Sequence, residues 1–152
     1  VVVDLVENNT VTVLVSGSGD YVYSLDSANG LYQTSNIFEN VIAGIYTVYV
    51  KDLNGCGIEE QEIAVLGVPK FFTPNGDGYN DTWKIRGANE KYNFNSIIYI
   101  FNRFGKLIKQ IGTTGEGWDG TYNGSPLPAD DYWYSIQFED GRAAKGHFSL
   151  KR

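Results

Sequence analysis

Valine, isoleucine, tyrosine and phenylalanine recur at every second position in several short stretches of the chain, which is the period of a β-strand with one buried face. In the first half these stretches predict strands at residues 10–15, 21–25, 46–50 and 62–66. In the second half they predict strands at residues 83–86, 97–102, 106–111, 132–139 and 143–150. Gly, Asn and Asp separate the stretches, so the sequence predicts an all-β fold.

Two of the breaks have the composition of hairpin turns. Asn-Arg-Phe-Gly at residues 102–105 joins one predicted pair of strands, and Asp-Gly-Arg at residues 140–142 joins the last pair. Pro126 and Pro128 interrupt the pattern between the hairpins and predict an irregular crossing. Alternation in the last two strands predicts the residues that face the core, which are Tyr132, Tyr134, Ile136, Phe138, Phe148 and Leu150.

The chain is expected to divide at Gly67-Val68-Pro69, where the strand pattern stops and the charge changes. Residues 1–68 carry one base, Lys51, and nine acids, whereas residues 69–152 carry eleven bases and nine acids. The net charge of −6 is therefore concentrated in the first half. Together with the spacing of the turns, this predicts two tandem β-sandwich domains of immunoglobulin-like type, at residues 1–67 and 69–152.

Composition narrows the classes of function. An acidic first half without a concentrated basic face argues against nucleic acid as a partner, because phosphate binding requires such a face. No apolar run approaches the roughly 20 residues that cross a bilayer, so we expect no transmembrane segment. Cys56 is the single cysteine and cannot form a disulfide within the chain.

A series of short motifs runs through the second half of the chain. It comprises Phe-Thr-Pro-Asn-Gly-Asp-Gly-Tyr-Asn-Asp at residues 72–81, Asn-Arg-Phe-Gly at 102–105, Trp-Asp-Gly at 118–120, Tyr-Trp-Tyr at 132–134, and Lys-Gly at 145–146 with the stretch to Arg152. In order and spacing the series resembles the gliding-motility-associated C-terminal domain, which is the type B sorting domain of the type IX secretion system. The resemblance covers the chain from about residue 70 to its end. It departs from the family at Asp130-Asp131, where a small residue and Gly are usual.

The resemblance implies a secretion signal rather than an enzyme. Such a domain routes a folded protein through the outer membrane and associates with an outer-membrane β-barrel protein of the gliding or porin-like class. It also implies an extracellular location at the cell surface. We expect one loop and the carboxy terminus to contact the barrel protein, through Asn75, Gly76, Asp77, Gly78, Lys151 and Arg152.

The first half has a shorter likeness of its own. Residues 43–56, Ala-Gly-Ile-Tyr-Thr-Val-Tyr-Val-Lys-Asp-Leu-Asn-Gly-Cys, are similar to the end of immunoglobulin-like repeats in large surface adhesins of gliding bacteria. This likeness implies that the first domain is a repeat of an extracellular stalk. It also implies that Cys56 belongs to the signature of the repeat rather than to a catalytic site.

The loop at residues 75–81 contains part of a calcium-binding pattern. Asn75, Asp77 and Asp81 supply oxygen-bearing side chains and Tyr79 a backbone carbonyl, but Arg86 stands where an EF-hand has its last Glu. The alternative is a tight exposed turn built by Asn, Asp and Gly, with positive φ at one or both glycines. Calcium at this loop is the single cofactor that the sequence suggests.

Three other patterns in the second half of the chain are candidates for a binding or catalytic site. Gly115, Gly117 and Gly120 match the G-x-G-x-x-G pattern, but no strand before and no helix after is predicted, so we expect Trp118 to be a core anchor before a turn. His147 is the single histidine and is expected to point outward. Trp133 lies on the opposite strand face from the core residues, and with Tyr99 it could stack on sugar rings. A carbohydrate-binding module is therefore the alternative function.

Overall fold

The computed structural model describes residues 1–55 and 57–152, so the prediction concerning Cys56 lies outside the described residues. The chain forms two compact units, Val1–Gly67 and Val68–Arg152. Strands and turns account for the secondary structure of both described ranges, which confirms the predicted all-β class. No helix within these ranges is long and apolar enough to span a membrane.

The first unit contains two antiparallel three-stranded sheets. Its strands are β1 (Val2–Val3), β2 (Thr10–Thr12), β3 (Tyr21–Leu25), β4 (Ile37–Phe38), β5 (Gly44–Asp52) and β6 (Ile58–Val65). The strand orders are β1-β2-β4 and β3-β5-β6. Valines from both sheets, among them Val11 on β2 and Val48 on β5, share one buried cluster. Burial of these side chains is what joins the two sheets of this unit.

Three predicted strands of the first unit have different limits in the structure, and the one expected at residues 46–50 spans Gly44–Asp52. The strand expected to reach Val15 ends at Thr12, because the N–H of Val13 donates to the carbonyl of Asn36, and the Asn36 side chain donates to the carbonyl of Val13. The strand expected at residues 62–66 begins at Ile58. Its first half is exposed at a sheet edge, where backbone pairing with β5 requires no alternating apolar pattern.

The second unit is built on a five-stranded sheet. Its strands are β7 (Phe71–Phe72), β8 (Ile97–Phe101), β9 (Leu107–Gly112), β10 (Thr121–Tyr122), β11 (Ser125–Pro126), β12 (Asp130–Gln137) and β13 (Ala143–Leu150). The sheet order is β7-β13-β12-β8-β9, with β7 parallel to β13 and the other neighbours antiparallel. Strands β10 and β11 form a separate small hairpin. Both predicted hairpin turns, at residues 102–105 and 140–142, are confirmed.

One face of this sheet packs against a layer of irregular chain that supplies aromatic side chains. Phe148 and Leu150 are buried as predicted, and Trp118 is 1% exposed, which confirms its role as a core anchor. The Trp118 indole N–H donates to the carbonyl of Thr121 at 2.8 Å, so its polar atom is satisfied inside the core. The opposite face of the sheet carries Trp133, which is 41% exposed.

The strand predicted at residues 83–86 is wrong. Trp83 instead makes a single antiparallel bridge with Trp118, in which each backbone N–H donates to the other residue's carbonyl at 2.9 Å. Its indole N–H donates to the carbonyl of Pro69. Trp83 and Ile85 are both buried, which explains the apolar residues at every second position of this segment. They are buried because the segment covers the five-stranded sheet, not because it forms a strand of a sheet.

Candidate functional site

The motifs that are separate in the sequence meet at one end of the five-stranded sheet. Phe72, the last residue of β7, pairs with Leu150, the last residue of β13, and Leu150 pairs with Asp130, the first residue of β12. Strand β8 also ends here, in the turn to β9. We call this region the motif end, and it comprises residues 73–81, 102–106, 118–122 and 151–152.

Gly120 lies at the centre of the motif end. A Cβ atom on this residue would lie 2.8 Å from Leu150 Cδ1 and 3.4 Å from both Phe72 and Pro74, and its φ is +80°. Only glycine meets both requirements without strain. The start of the 75–81 loop, the end of β13 and the Trp-Asp-Gly motif are therefore packed around one backbone position.

The loop at residues 75–81 is organised by the carboxylate of Asp81. Asp81 Oδ1 accepts the backbone N–H groups of Asn75 and Gly76 at 3.1 and 2.6 Å, and Oδ2 accepts that of Gly78 at 2.8 Å. These bonds stabilise the ionised form and lower the pKa of Asp81 below its ordinary value of 3.8, with the bond from Gly76 contributing most. The carboxylate thus occupies a small nest of backbone donors.

The glycines of the loop adopt the backbone conformation that was predicted. Gly76 and Gly78 have φ of +78° and +87°, and a Cβ on either would meet nothing within 4 Å. Asn80 also has positive φ, at +51°. Tyr79 is 78% exposed between them. The loop is therefore held by its own hydrogen bonds while its outer surface, including one aromatic ring, stays open to a partner.

The candidate calcium ligands already accept hydrogen bonds within the loop. Asp77 Oδ1 accepts the N–H of Tyr79, and Asp77 Oδ2 accepts the side-chain amide of Asn75. Asn75 Oδ1 accepts the N–H of Asp77, and the Tyr79 carbonyl accepts the Thr73 hydroxyl at 3.4 Å. In residues 1–55 and 57–152, no three His, Cys, Asp or Glu side chains form a group suited to a metal ion. Calcium binding by Asn75, Asp77, Tyr79 and Asp81 stays a prediction.

The two terminal cations make contacts inside the unit. Lys151 Nζ lies 4.5 Å from the centroid of the Phe71 ring. Arg152 donates from Nε to the carbonyl of Leu127 at 2.9 Å and from Nη2 to that of Gly120 at 3.4 Å. Both residues remain exposed at the motif end. The structure gives them a role in fixing the end of β13, and a partner contact remains a prediction.

The tip of the β8–β9 hairpin presents an aromatic ring that the sequence reasoning did not single out. Phe104 is 79% exposed, although the turn beneath it is fixed by several hydrogen bonds. The Arg103 guanidinium lies 5.1 Å from the Phe104 ring centroid and 3.6 Å from the Asp130 carboxylate. The Asn-Arg-Phe-Gly turn predicted the hairpin but not the exposure of its phenylalanine.

The remaining candidate site residues have structural roles or lie away from the motif end. A Cβ on Gly117 would lie 2.6 Å from the Trp83 carbonyl oxygen, so this glycine of the G-x-G-x-x-G run allows close approach of backbone rather than of a phosphate. His147 is exposed as predicted, with its ring centroid 6.1 Å from that of Trp133. The Asp119 carboxylate accepts the Thr121 hydroxyl, which lowers the pKa of Asp119 and fixes the turn.

Two solved structures are distantly similar to this chain. A biofilm-associated protein, in its BSP domain, is 14% identical with a TM-score of 0.35, covering 95% of this chain and 27% of that one. The Bacteroides ovatus protein SGBP-B of a mixed-linkage glucan utilization locus, in complex with a mixed-linkage heptasaccharide, is 13% identical with a TM-score of 0.26, covering 98% and 42%. The chain thus spans less than half the length of either protein. No curated protein matches the chain.

Comparison with protein families gives a direct result. The model of the CHU_C type IX secretion signal domain matches residues 66–150. The matched span covers more than half of the chain and includes the five-stranded sheet and all of the motif end but residues 151–152. The chain therefore belongs to the family of type IX secretion signal domains.

Proposed function

We propose that the second unit routes the protein that carries it through the type IX machinery and then holds it at the cell surface by docking onto an outer-membrane β-barrel protein. Membership of the secretion signal family supports the routing role. The docking role rests on the motif end, where the 75–81 loop, the β8–β9 turn and the chain terminus lie together.

The observation that carries this proposal is the combination of exposure and rigidity at the motif end. The loop exposes Gly76, Asp77 and Tyr79, yet the Asp81 carboxylate fixes its backbone through three N–H groups. A surface that is ordered before binding loses less conformational entropy when a partner docks. A self-supported loop is therefore better suited to recognition than to filling a core.

For the first unit we propose the role of an immunoglobulin-like stalk repeat. Two antiparallel sheets that share a valine cluster are the arrangement that such a repeat requires. In this proposal the first unit spaces the second from the rest of an extracellular adhesin and carries no sorting information. The immunoglobulin-like sandwich predicted for both domains is proposed for the first unit alone, because the second unit has one five-stranded sheet covered by irregular chain and a small hairpin.

The test is export of a reporter in cells that contain the type IX machinery. A signal-peptide-bearing fluorescent reporter is fused to residues 68–152, to residues 1–67, or to the whole chain, and surface display is measured on intact cells by antibody and by protease access. We expect display with residues 68–152 and with the whole chain. A mutant cell without the type IX machinery serves as the control for leakage.

Either of two results contradicts the proposal. Surface display by residues 1–67 alone would show that the sorting information lies elsewhere. If the reporter fused to the whole chain is fluorescent in the periplasm but is not displayed at the surface, the second unit is not a sufficient signal. Docking is tested separately, by co-purification of the displayed whole chain with a single outer-membrane barrel protein.

A carbohydrate-binding module is the second candidate, and one observation favours it. Trp133 is 41% exposed on the outer face of the sheet with the His147 ring beside it, and an exposed indole can stack on a sugar ring. Affinity electrophoresis of the whole chain in gels containing surface polysaccharides tests this function. Retardation that Trp133→Ala abolishes would support a sugar site, and unaltered mobility in every gel would remove it.

A further inference from the structure

Phe104 has the properties of an anchor residue in a protein interface. Its side chain is 79% exposed at the tip of the β8–β9 hairpin, so folding of the unit has not buried it. Hot spots of protein interfaces are aromatic side chains that leave solvent for a pocket on the partner. Single exposed apolar side chains are common on protein surfaces, so exposure alone does not identify such a use.

The rigidity of the turn distinguishes Phe104 from an incidental surface residue. Asn102 Oδ1 accepts the N–H groups of Phe104 and Lys106, each at 3.0 Å. The N–H of Gly105 donates to the Asn102 carbonyl at 2.9 Å, and the N–H of Asn102 donates to the Lys106 carbonyl at 3.0 Å. Four hydrogen bonds therefore fix the backbone that carries one exposed ring, which lowers the entropy lost when that ring is bound.

Phe104 lies in the turn three residues before Leu107, which begins an apolar row on the outer face of the sheet. Leu107, at the start of β9, pairs with Phe101 on β8, and Phe101 pairs with Trp133 on β12. Directly paired residues lie side by side on one face of a sheet. Leu107 and Trp133 are 47% and 41% exposed. We call Phe104, Leu107, Phe101 and Trp133 the apolar ridge.

The cations that border the tip indicate the charge of the partner. Arg103 is placed beside the Phe104 ring, and Lys106 Nζ lies 4.7 Å from the ring centroid of Tyr122. Both cationic side chains are exposed near Phe104, and Arg103 also lies 3.6 Å from the Asp130 carboxylate, an exposed pair that a carboxylate of the partner could replace. An apolar pocket bordered by Asp or Glu side chains would be complementary to this arrangement.

We infer that the apolar ridge extends the docking surface of the motif end and enters such an acidic-rimmed apolar pocket on the outer-membrane barrel protein, with Phe104 as the anchor. This inference rests on the proposed function and adds the residues and the chemistry of the contact. A glycan would instead require a flat platform of rings. The ridge includes the aliphatic side chain of Leu107, which offers no ring face to a sugar.

The experiment uses the whole chain, displayed by cells with the type IX machinery, and compares two phenylalanines. Phe104→Ala removes the anchor. Phe94→Ala is the matched control, because Phe94 is 48% exposed but lies beside Glu139, beyond the opposite end of β12. We expect Phe104→Ala to reduce retention at the surface about tenfold or more, the size of a hot-spot effect, and Phe94→Ala to leave it unchanged. Thermal unfolding of both purified variants should match the parent chain.

Site-specific cross-linking identifies the partner class. A photoreactive benzoyl-phenylalanine at position 104 is expected to form an adduct with one outer-membrane barrel protein, whereas the same group at position 94 is not. Equal retention of the Phe104→Ala and Phe94→Ala variants would overturn the inference. So would an adduct with polysaccharide instead of protein. If the parent chain itself is not displayed, the proposed function fails, and that failure is thereby distinguished from a failure of the ridge.

Discussion

Trp83 stacks on Phe148 with their ring centroids 3.9 Å apart and their planes inclined by 14°. Trp83 comes from the irregular layer and Phe148 from the second half of β13, and both are 0% exposed. This pair joins the covering layer to the five-stranded sheet. Stacked aromatic pairs contribute beyond their buried area, so the pair is a principal contact of the second unit.

We therefore expect Trp83→Ala to destabilise the second unit by about 3–5 kcal/mol, the usual cost of removing a large buried aromatic side chain. Trp133→Ala is the control and should cost about 1 kcal/mol or less, because that ring is half exposed. All three tryptophans lie in the second unit, so urea unfolding followed by tryptophan fluorescence reports on that unit alone. Equal losses in the two variants would contradict the assigned role of the stack.

Gly120 and Gly124 provide a matched pair for testing the packing at the motif end. Both have positive φ, at +80° and +78°, but only Gly120 has neighbours within 4 Å of a built Cβ. Gly124→Ala should cost roughly 1–2 kcal/mol from backbone strain alone. Gly120→Ala should cost about 1–3 kcal/mol more, because its methyl group would press on the buried Leu150. Urea midpoints give both values, and equal midpoints would show that no close approach exists at Gly120.

The Asp81 nest predicts a defined response to pH. Folding lowers the pKa of Asp81 below 3.8, so its contribution to stability is fully present above that ordinary value and is lost as the pH falls through the lowered folded value. We expect the amide proton shifts of Gly76 and Gly78 to stay constant from neutral pH down to about 4 and to move together below it. In Asp81→Asn this joint movement should disappear. Movement that persists in the variant would assign the titration to another group.

Calcium is tested by melting the whole chain with calcium and with a chelator. Asp77 and Asp81 accept hydrogen bonds from the loop itself, and the Oδ2 atom of each accepts one, which leaves it a lone pair that a calcium ion could bind. Equal melting temperatures in both conditions, for the parent chain and for Asp77→Ala alike, would remove the predicted site and leave the plain exposed turn. A melting temperature that rises with calcium in the parent chain, and no longer rises in Asp77→Ala, would establish the calcium site instead.

Much of the second unit could be predicted from sequence because the relevant signals are local. Strand β13 was predicted with its observed limits, Ala143–Leu150, since Phe148 and Leu150 alternate with exposed residues. The turn at residues 102–105 was predicted because Asn and Gly supply its side-chain acceptor and its positive φ. The glycines of the 75–81 loop were predicted for the same reason. A turn is determined by residues that are neighbours in the chain.

The all-β class, the two hairpins, the inward-facing residues of the last strands and the order of the motifs could thus be predicted from local patterns in the sequence. Tertiary structure alone decided that β7, only two residues long, pairs with β13, that Trp83 bridges Trp118, and that Gly120 lies against Leu150. These contacts join residues far apart in sequence, and a two-residue strand carries no period to read. Whether Phe104 is covered or exposed depends on whether a segment distant in sequence packs over the hairpin tip. The residues around Phe104 in the sequence cannot predict such packing.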